Sequence, residues 1–221
     1  MQISLDGHPL TLLASGGLLS PETGTLWVAD VHLGKAASFR RLGVPVPQGT
    51  TTQTLSQLSH DIDQHHIAHL VVLGDFLHSK AVQLAGATLD ALGQWREHHT
   101  ELRVTLVRGN HDDKAGDPAP RFKIDVVDQP FALDGLYGCH DQEEIHQPLP
   151  GPMLHGHIHP VIRLTGRGKD RLRLPCFVVS QDRCLLPAYG AFTGGFVMQP
   201  KPDETFYVIA GQSIYRLPGS T

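Results

Sequence analysis

Apolar residues fall in two rhythms along this chain. In the first half, compact blocks at 25–29, 70–73 and 102–107 alternate with polar stretches whose apolar positions recur every three or four residues. The blocks have the length of buried strands and the stretches the period of amphipathic helices. After Gly49 the spaced positions are Leu55, Leu58 and Ile62, with threonines available to cap the start. Over 83–96 they are Leu84, Ala87, Ala91 and Trp95. Ahead of all these, 3–5 and 10–13 flank Asp6-Gly7, a hairpin signal. The strand-helix-strand alternation predicts an α/β first half.

After Pro118 the helical period disappears. Short apolar runs at 124–127, 136–139, 153–155, 161–164, 172–174, 177–179, 206–210 and 213–216 are punctuated by Gly and Pro. They predict a second sheet packed on the first, with long loops at 113–121 and 142–152. Within this half, Arg163-Leu164 and Arg171-Leu172-Arg173-Leu174 alternate around Gly166-Arg167-Gly168. That alternation predicts a hairpin with one apolar and one basic face. It reads either as a solvated face or as a local contact to a phosphate backbone.

At 221 residues the chain is expected to form a single domain spanning 1–221. No apolar run is long enough to cross a bilayer, and the N-terminus lacks a basic segment followed by an apolar core. Cys139, Cys176 and Cys184 are too few and too irregular for a disulfide framework. A cytoplasmic location is therefore expected, with no membrane partner. A net charge of −4 exerts no global pull on nucleic acid or anionic lipid. It leaves oligomeric state open.

Histidine changes the picture, because there are 15 of them. His60, His65, His66, His69, His98 and His99 sit in or beside helix-like polar segments and read as structural or surface residues. The others of interest stand at predicted strand ends beside Gly, Asp or Asn. Asp30-Val31-His32 follows the block at 25–29, Gly74-Asp75 the block at 70–73, and Gly109-Asn110-His111-Asp112 the block at 102–107. Gly156-His157-Ile158-His159 follows the run at 153–155. In open α/β sheets, ligands bind just beyond the carboxyl ends of strands.

Each motif is short, but their chemistry agrees. A carboxylate and an imidazole two residues apart can point at one ion from a sharp turn. Asp75 has two oxygens and could bridge two cations, and Gly74 would let the backbone come close. Asn110 offers an amide oxygen. His111 can give a proton without being a ligand, and Asp112 could hold its ring and keep it protonated. One more ligand is needed. His140, at the end of the run 136–139, is preferred to His146 in its polar loop. His155 could be a packing residue. Cys139 would be a soft alternative, but oxygen and nitrogen donors dominate and fit manganese, iron or zinc. Arg40, Arg41 and Arg108 lie close in sequence and could contact phosphate.

This ordered set resembles the calcineurin-like metallophosphoesterase superfamily. Finer matches resemble its bacterial branch associated with DNA ligase. They are the segments Ala29 to Lys35, Ser38-Phe39-Arg40-Arg41, Pro45-Val46-Pro47, and Leu186 through Tyr189 to Gly195. The resemblance implies an α/β fold of two packed mixed β-sheets flanked by helices, a four-layer sandwich. It implies two divalent metal ions, manganese first. Asp30, His32, Asp75 and His159 would hold one, and Asp75, Asn110, His140 and His157 the other. It implies a phosphodiesterase in which His111 protonates the leaving oxygen and Asn110 also meets the phosphate. The role would be that of a nuclease or DNA-end processing enzyme, with DNA and ligase or helicase repair proteins as partners. Two rival functions stand beside it: a phosphomonoesterase or nucleotidase on small esters, and a partner-binding subunit of a repair complex.

Overall fold

A computed structural model describes residues 1–79, 86–110, 112, 116–166 and 171–218. The first sheet has seven strands lying side by side in chain order. They are β1 (Gln2–Leu5), β2 (His8–Leu12), β3 (Leu18–Ser20), β4 (Thr25–Ala29), β5 (His69–Leu73), β6 (Arg103–Val107) and β7 (Asp125–Val127). β1 to β4 form an antiparallel meander, and β4 to β7 run parallel. Parallel neighbours need crossovers. Helices α1 (Lys35–Arg41) and α2 (Thr50–His65) lie in the first, and α3 (Ala87–His98) lies in the second.

The alternation of side chains along a strand explains why the central blocks are apolar throughout. Leu26, Val28, Leu70, Val72, Val104 and Leu106 pack with Leu55, Leu58 and Ile62 of α2 and Leu92 and Trp95 of α3. Trp27, Ala29, Val71, Leu73 and Val107 share the other core with Leu136, Leu154, Phe177 and Tyr207 of the second sheet and with Leu186 just beyond it. Each fully buried aliphatic side chain contributes roughly 1.5–3 kcal/mol. Two such cores clamp β4, β5 and β6 and fix the positions of their ends.

The second sheet holds nine strands. They are β8 (Phe131–Leu133), β9 (Leu136–Cys139), β10 (Met153–His155), β11 (Pro160–Thr165), β12 (Arg171–Val179), β13 (Arg183–Leu185), β14 (Phe196–Val197), β15 (Thr205–Ala210) and β16 (Ser213–Pro218). β10 runs parallel to both β9 and β13, with His155 in register with Cys139 and Leu185. The two mixed sheets pack face to face, as the sequence led one to expect.

Several details differ from the sequence reading. The runs 172–174 and 177–179 are one strand passing through Pro175. Its first part pairs with β11 and its second with β13 and β15, so the proline falls where the ladder changes partner. β3, β8, β13 and β14 span three residues or fewer, too short to show a period of two. α1 has seven residues and buries only Ala36, which leaves little helical signal. The predicted start of the helix at 83 and the hairpin tip Arg167-Gly168 lie outside the described residues. No described helix is long and apolar enough to cross a membrane.

Candidate metal centre

Six of the expected ligands leave strand ends in sharp turns. Asp30 follows β4 and Asp75 follows β5, each beyond a strand buried along its whole length. His140 follows β9, and His157 and His159 follow β10. Asp30, His32, Asp75, His157 and His159 all have left-handed backbones, with φ of 54°, 48°, 52°, 70° and 53°. Non-glycine residues avoid this region, at a cost of about 1–3 kcal/mol each, and concentrate there at functional sites. Hydrogen bonds lock the turns together: His32 N donates to Asp75 O at 2.8 Å, Leu33 N to Phe76 O at 2.9 Å, and Gly156 N to His140 O at 3.1 Å.

The side chains meet in two groups. In the first, His159 Nε2 lies 3.2 Å from Asp30 Oδ1 and 3.3 Å from His32 Nε2. His32 Nε2 is 3.7 Å from Asp75 Oδ2. In the second, His140 Nε2 lies 2.9 Å from His157 Nδ1, 3.2 Å from Asn110 Oδ1 and 3.6 Å from Asp75 Oδ1. Asp75 thus turns one carboxylate oxygen to each group. Asp30 also touches both, since His140 Nδ1 approaches its Oδ1 at 3.8 Å.

This donor set fits divalent cations. Asp30, His32 and His159 bring ligand atoms within 4.8 Å of one another, and so do Asp30, Asp75 and His140. Asp30 Oδ1 is buried and makes no hydrogen bond among the described residues. Imidazole nitrogens converging beside buried carboxylates are what nitrogen- and oxygen-liking metals gather. Backbone carbonyls orient two of the rings: His140 Nδ1 is 3.1 Å from Leu73 O and His159 Nδ1 is 3.2 Å from Gly194 O.

Three glycines make the convergence possible. A Cβ on Gly74 would sit 2.2 Å from His140 Nδ1, and one on Gly156 would sit 2.6 Å from Asp30 Oδ2. One on Gly109 would meet the Asp75 backbone nitrogen and Oδ1 at 2.8 Å. In each case the glycine stands where a candidate ligand from another loop has to pass.

Asp112 has a job that its neighbourhood in the sequence does not announce. Its Oδ2 accepts from the backbone N–H of Asp75 at 2.7 Å and of Gly109 at 3.0 Å, and its Oδ1 accepts from Phe76 N at 3.1 Å. It therefore braces the two ligand loops after β5 and β6. Burial pushes its carboxyl up to about 6, against the pull of the three N–H donors and with the help of the Asp75 charge. The expected hold on His111 is not seen, because His111 lies outside the described residues.

The described contacts of Arg40 and Arg108 lie away from the cluster. Arg108 bonds Asp117 Oδ1 at 2.5 Å and lies 3.5 Å from Asp128, so its charge is already compensated at the surface. Arg40 donates to Pro47 O at 2.7 Å. It lines, with Arg41, a separate cavity between α1 and the starts of α2 and α3, which contains none of the candidate ligands. His146 is exposed and His155 is buried, its imidazole pushed down to about 4 chiefly by that burial.

Three participants were given no role from the sequence. Lys35 faces the Asp30 and Asp75 charges, which oppose the fall in its pKa that burial causes. Its only signal was a basic residue soon after the Asp-x-His turn. Asp141 places Oδ2 3.7 Å from His157 Nε2. Residues 186–191 wrap the Asp30 loop: Tyr189 N bonds Ala29 O, Gly190 N bonds Asp30 O, and Tyr189 Oη donates to Asp61 Oδ2 at 2.8 Å. Gly190 is required there, since a Cβ would lie 2.3 Å from Val31 O.

Known proteins share this fold. The family model for calcineurin-like phosphoesterases matches residues 25–175. The crystal structure of the Pseudomonas putida nuclease MPE superimposes with a TM-score of 0.84 at 40% identity, covering 98% of this chain and 99% of that one. No curated protein sequence matches the chain.

Proposed function

Since the chain belongs to the calcineurin-like phosphoesterase family and is a metal-dependent hydrolase of phosphate esters, we propose that its bond is a phosphodiester and its role that of a nuclease. The observation that carries the reading is Asp75, whose two oxygens face two imidazole-carboxylate groups. Asp30, His32, Asp75 and His159 would hold one ion and Asp75, Asn110, His140 and His157 the other. We assign manganese first, with iron or zinc as alternatives. Two bound divalent ions would supply a nucleophile from water at neutral pH and a clamp on phosphate oxygens.

The chain's own residues supply the rest. Asn110, whose Oδ1 lies 3.2 Å from His140 Nε2, would meet a phosphate oxygen as charge develops. Lys35 adds a positive charge beside the buried carboxylates. His111 keeps the proton-donor role assigned from the sequence, giving its proton to the leaving oxygen. Asp112 holds the loops of Asp75 and Asn110 in place. The likeness to a nuclease over nearly the whole chain supports a polynucleotide substrate. A DNA-end or repair setting, with ligase and helicase partners in the cytoplasm, belongs to the same proposal.

A monoester dianion would call for further cations aimed at its third oxygen. Arg108 is engaged by carboxylates, and Arg40 and Arg41 lie in another cavity. The expected outcome is a higher kcat/KM for bis(4-nitrophenyl) phosphate than for 4-nitrophenyl phosphate with Mn²⁺, abolished by a chelator. A preference for the monoester under the same metal would favour the phosphatase reading.

A further inference from the structure

We propose that the basic face of the β11–β12 hairpin is a track for the phosphate backbone of a polynucleotide strand as it leaves the metal centre. This rests on the phosphodiesterase reading above and adds to it where the polymer lies. Pairing between the strands sets Arg163 directly opposite Arg173 and Thr165 opposite Arg171. These positions share one face, while Ile162, Leu164, Leu172 and Leu174 share the other. All three arginines are exposed.

The track begins at the centre. A cavity of about 360 Å³ is lined by His159, Val161, Arg173, Pro175, Thr193 and Gly195, among others. The Arg173 guanidinium donates to Gly195 O, one residue from the carbonyl that orients the His159 ring. From there the face continues outward to Arg163 beside Arg173 and then to Arg171. Arg171 and Arg173 are two residues apart on one strand, about 7 Å. That step is comparable to the distance between successive phosphates on a nucleic-acid strand.

Beyond the Arg173 bond to Gly195 O, the fold gives no reason for this arrangement. Like charges directly opposite each other in an antiparallel pair are destabilising. No carboxylate among the described residues pairs with Arg163, Arg171 or Arg173. A polyanion lying between them would relieve the repulsion. The positive charge is also local. The chain carries a net −4, and the flank beyond His157 bears Asp141, Glu143 and Glu144. A strand of phosphates is therefore drawn to the His159 side and repelled from the His157 side.

The test is a double variant, Arg163→Gln with Arg171→Gln, read in two ways. Fluorescence anisotropy of a labelled oligodeoxynucleotide, measured in chelator over a salt series, reports binding without turnover. Affinity should fall about tenfold or more at low salt, and the log–log salt slope should flatten by about 0.7 for each lost contact. With Mn²⁺, the ratio of kcat/KM for the oligonucleotide to that for bis(4-nitrophenyl) phosphate should drop by a similar factor. The variant's Tm should equal or exceed the wild type's, because the repulsion is gone. Unchanged affinity and slope would overturn the track. Absence of diester hydrolysis by the wild type would instead remove the phosphodiesterase reading, and the anisotropy would still decide whether the strip binds the polymer.

Discussion

The two ends of β4, β5 and β6 are built to opposite rules. At the amino ends, Thr25, His69 and Arg103 lie in register and settle their polar groups locally. His69 Nε2 meets Thr105 Oγ1 at 2.9 Å, and Arg103 sits 3.7 Å from Asp125. None of the three has a positive φ. At the carboxyl ends the same strands lead into left-handed Asp30, His32 and Asp75, a buried carboxylate oxygen with no hydrogen bond among the described residues, and glycines pressed against candidate ligands. One pair of apolar cores holds both ends. His66, left-handed three residues before β5, only caps the end of α2, whereas the carboxyl ends gather left-handed residues whose side chains converge on one another, and that asymmetry locates the chemistry without any appeal to similarity. It also separates substitutions that should cost activity from those that should cost stability.

The sharpest break in the comparison is Asp75→Ala. It takes a carboxylate from both imidazole groups, so bound metal should collapse and kcat/KM should fall by about 10³-fold or more, beyond the loss of a single electrostatic contact. His111→Ala should also remove about 10²–10⁴ in turnover, as loss of a general acid does, with metal retained. Metal analysis of the dialysed variants beside their rates would decide. Equal metal loss in both would undo the assignment of roles. Asp112→Ala comes next. It frees the backbone of residues 75, 76 and 109 without removing a ligand, and metal affinity should weaken by about 10–100-fold, as for other supporting groups. A metal titration that matches the wild type would show that the loops hold themselves.

Much of this was legible in the sequence because the proposed ligands follow largely buried strands. Apolar blocks such as 70–73 announce themselves, and the polar residue just past each one stands out against them. The basic and apolar faces of the β11–β12 hairpin were readable for the same reason: strict alternation. What escaped was set by contacts distant along the chain. Nothing near Asp112 in sequence says that its carboxylate reaches back to the N–H groups of Asp75 and Phe76. Nothing near Arg108 shows that Asp117 and Asp128 neutralise it. The wrapping of residues 186–191 around the Asp30 loop depends on a parallel bridge from Ala188 to Ala29, across most of the chain.

Glycine substitutions sharpen the comparison at lower cost. Gly74 and Gly211 both have a positive φ, at 74° and 61°, but an added Cβ meets the His140 ring in the first case and nothing within 4 Å in the second. Gly211→Ala should cost roughly 1–2 kcal/mol from backbone strain alone, with activity intact. Gly74→Ala should add about 1–3 kcal/mol of overpacking and displace a proposed ligand, so metal binding falls with stability. Denaturant midpoints and metal content measured together separate the cases. Equal losses from both substitutions would mean that the approach of His140 to Gly74 is not a tight constraint.

The smallest effect comes from the amino end and turns on pH. Burial lowers the His69 pKa, Arg103 adds to the shift, and Asp125 and Asp134 oppose it. Just below the ordinary histidine value of about 6.5, the unfolded chain therefore binds more protons at this position than the folded one. The stability contributed by His69 is full above that value and is lost as pH falls through the lowered folded pKa. His69→Gln removes the titration and can keep a hydrogen bond to Thr105. At pH 8 the variant should be less stable by up to about 1 kcal/mol, the scale of one imperfectly replaced hydrogen bond. Toward pH 5 the deficit should shrink or reverse, because the wild type then has to protonate a buried ring or exclude the proton. Urea midpoints across that range for wild type and variant give the difference directly, and diester hydrolysis with Mn²⁺ at neutral pH should not change. A difference constant with pH would show that His69 titrates as it does in the unfolded chain. A loss of hydrolysis would show that the amino end of the strand is not independent of the centre at its other end.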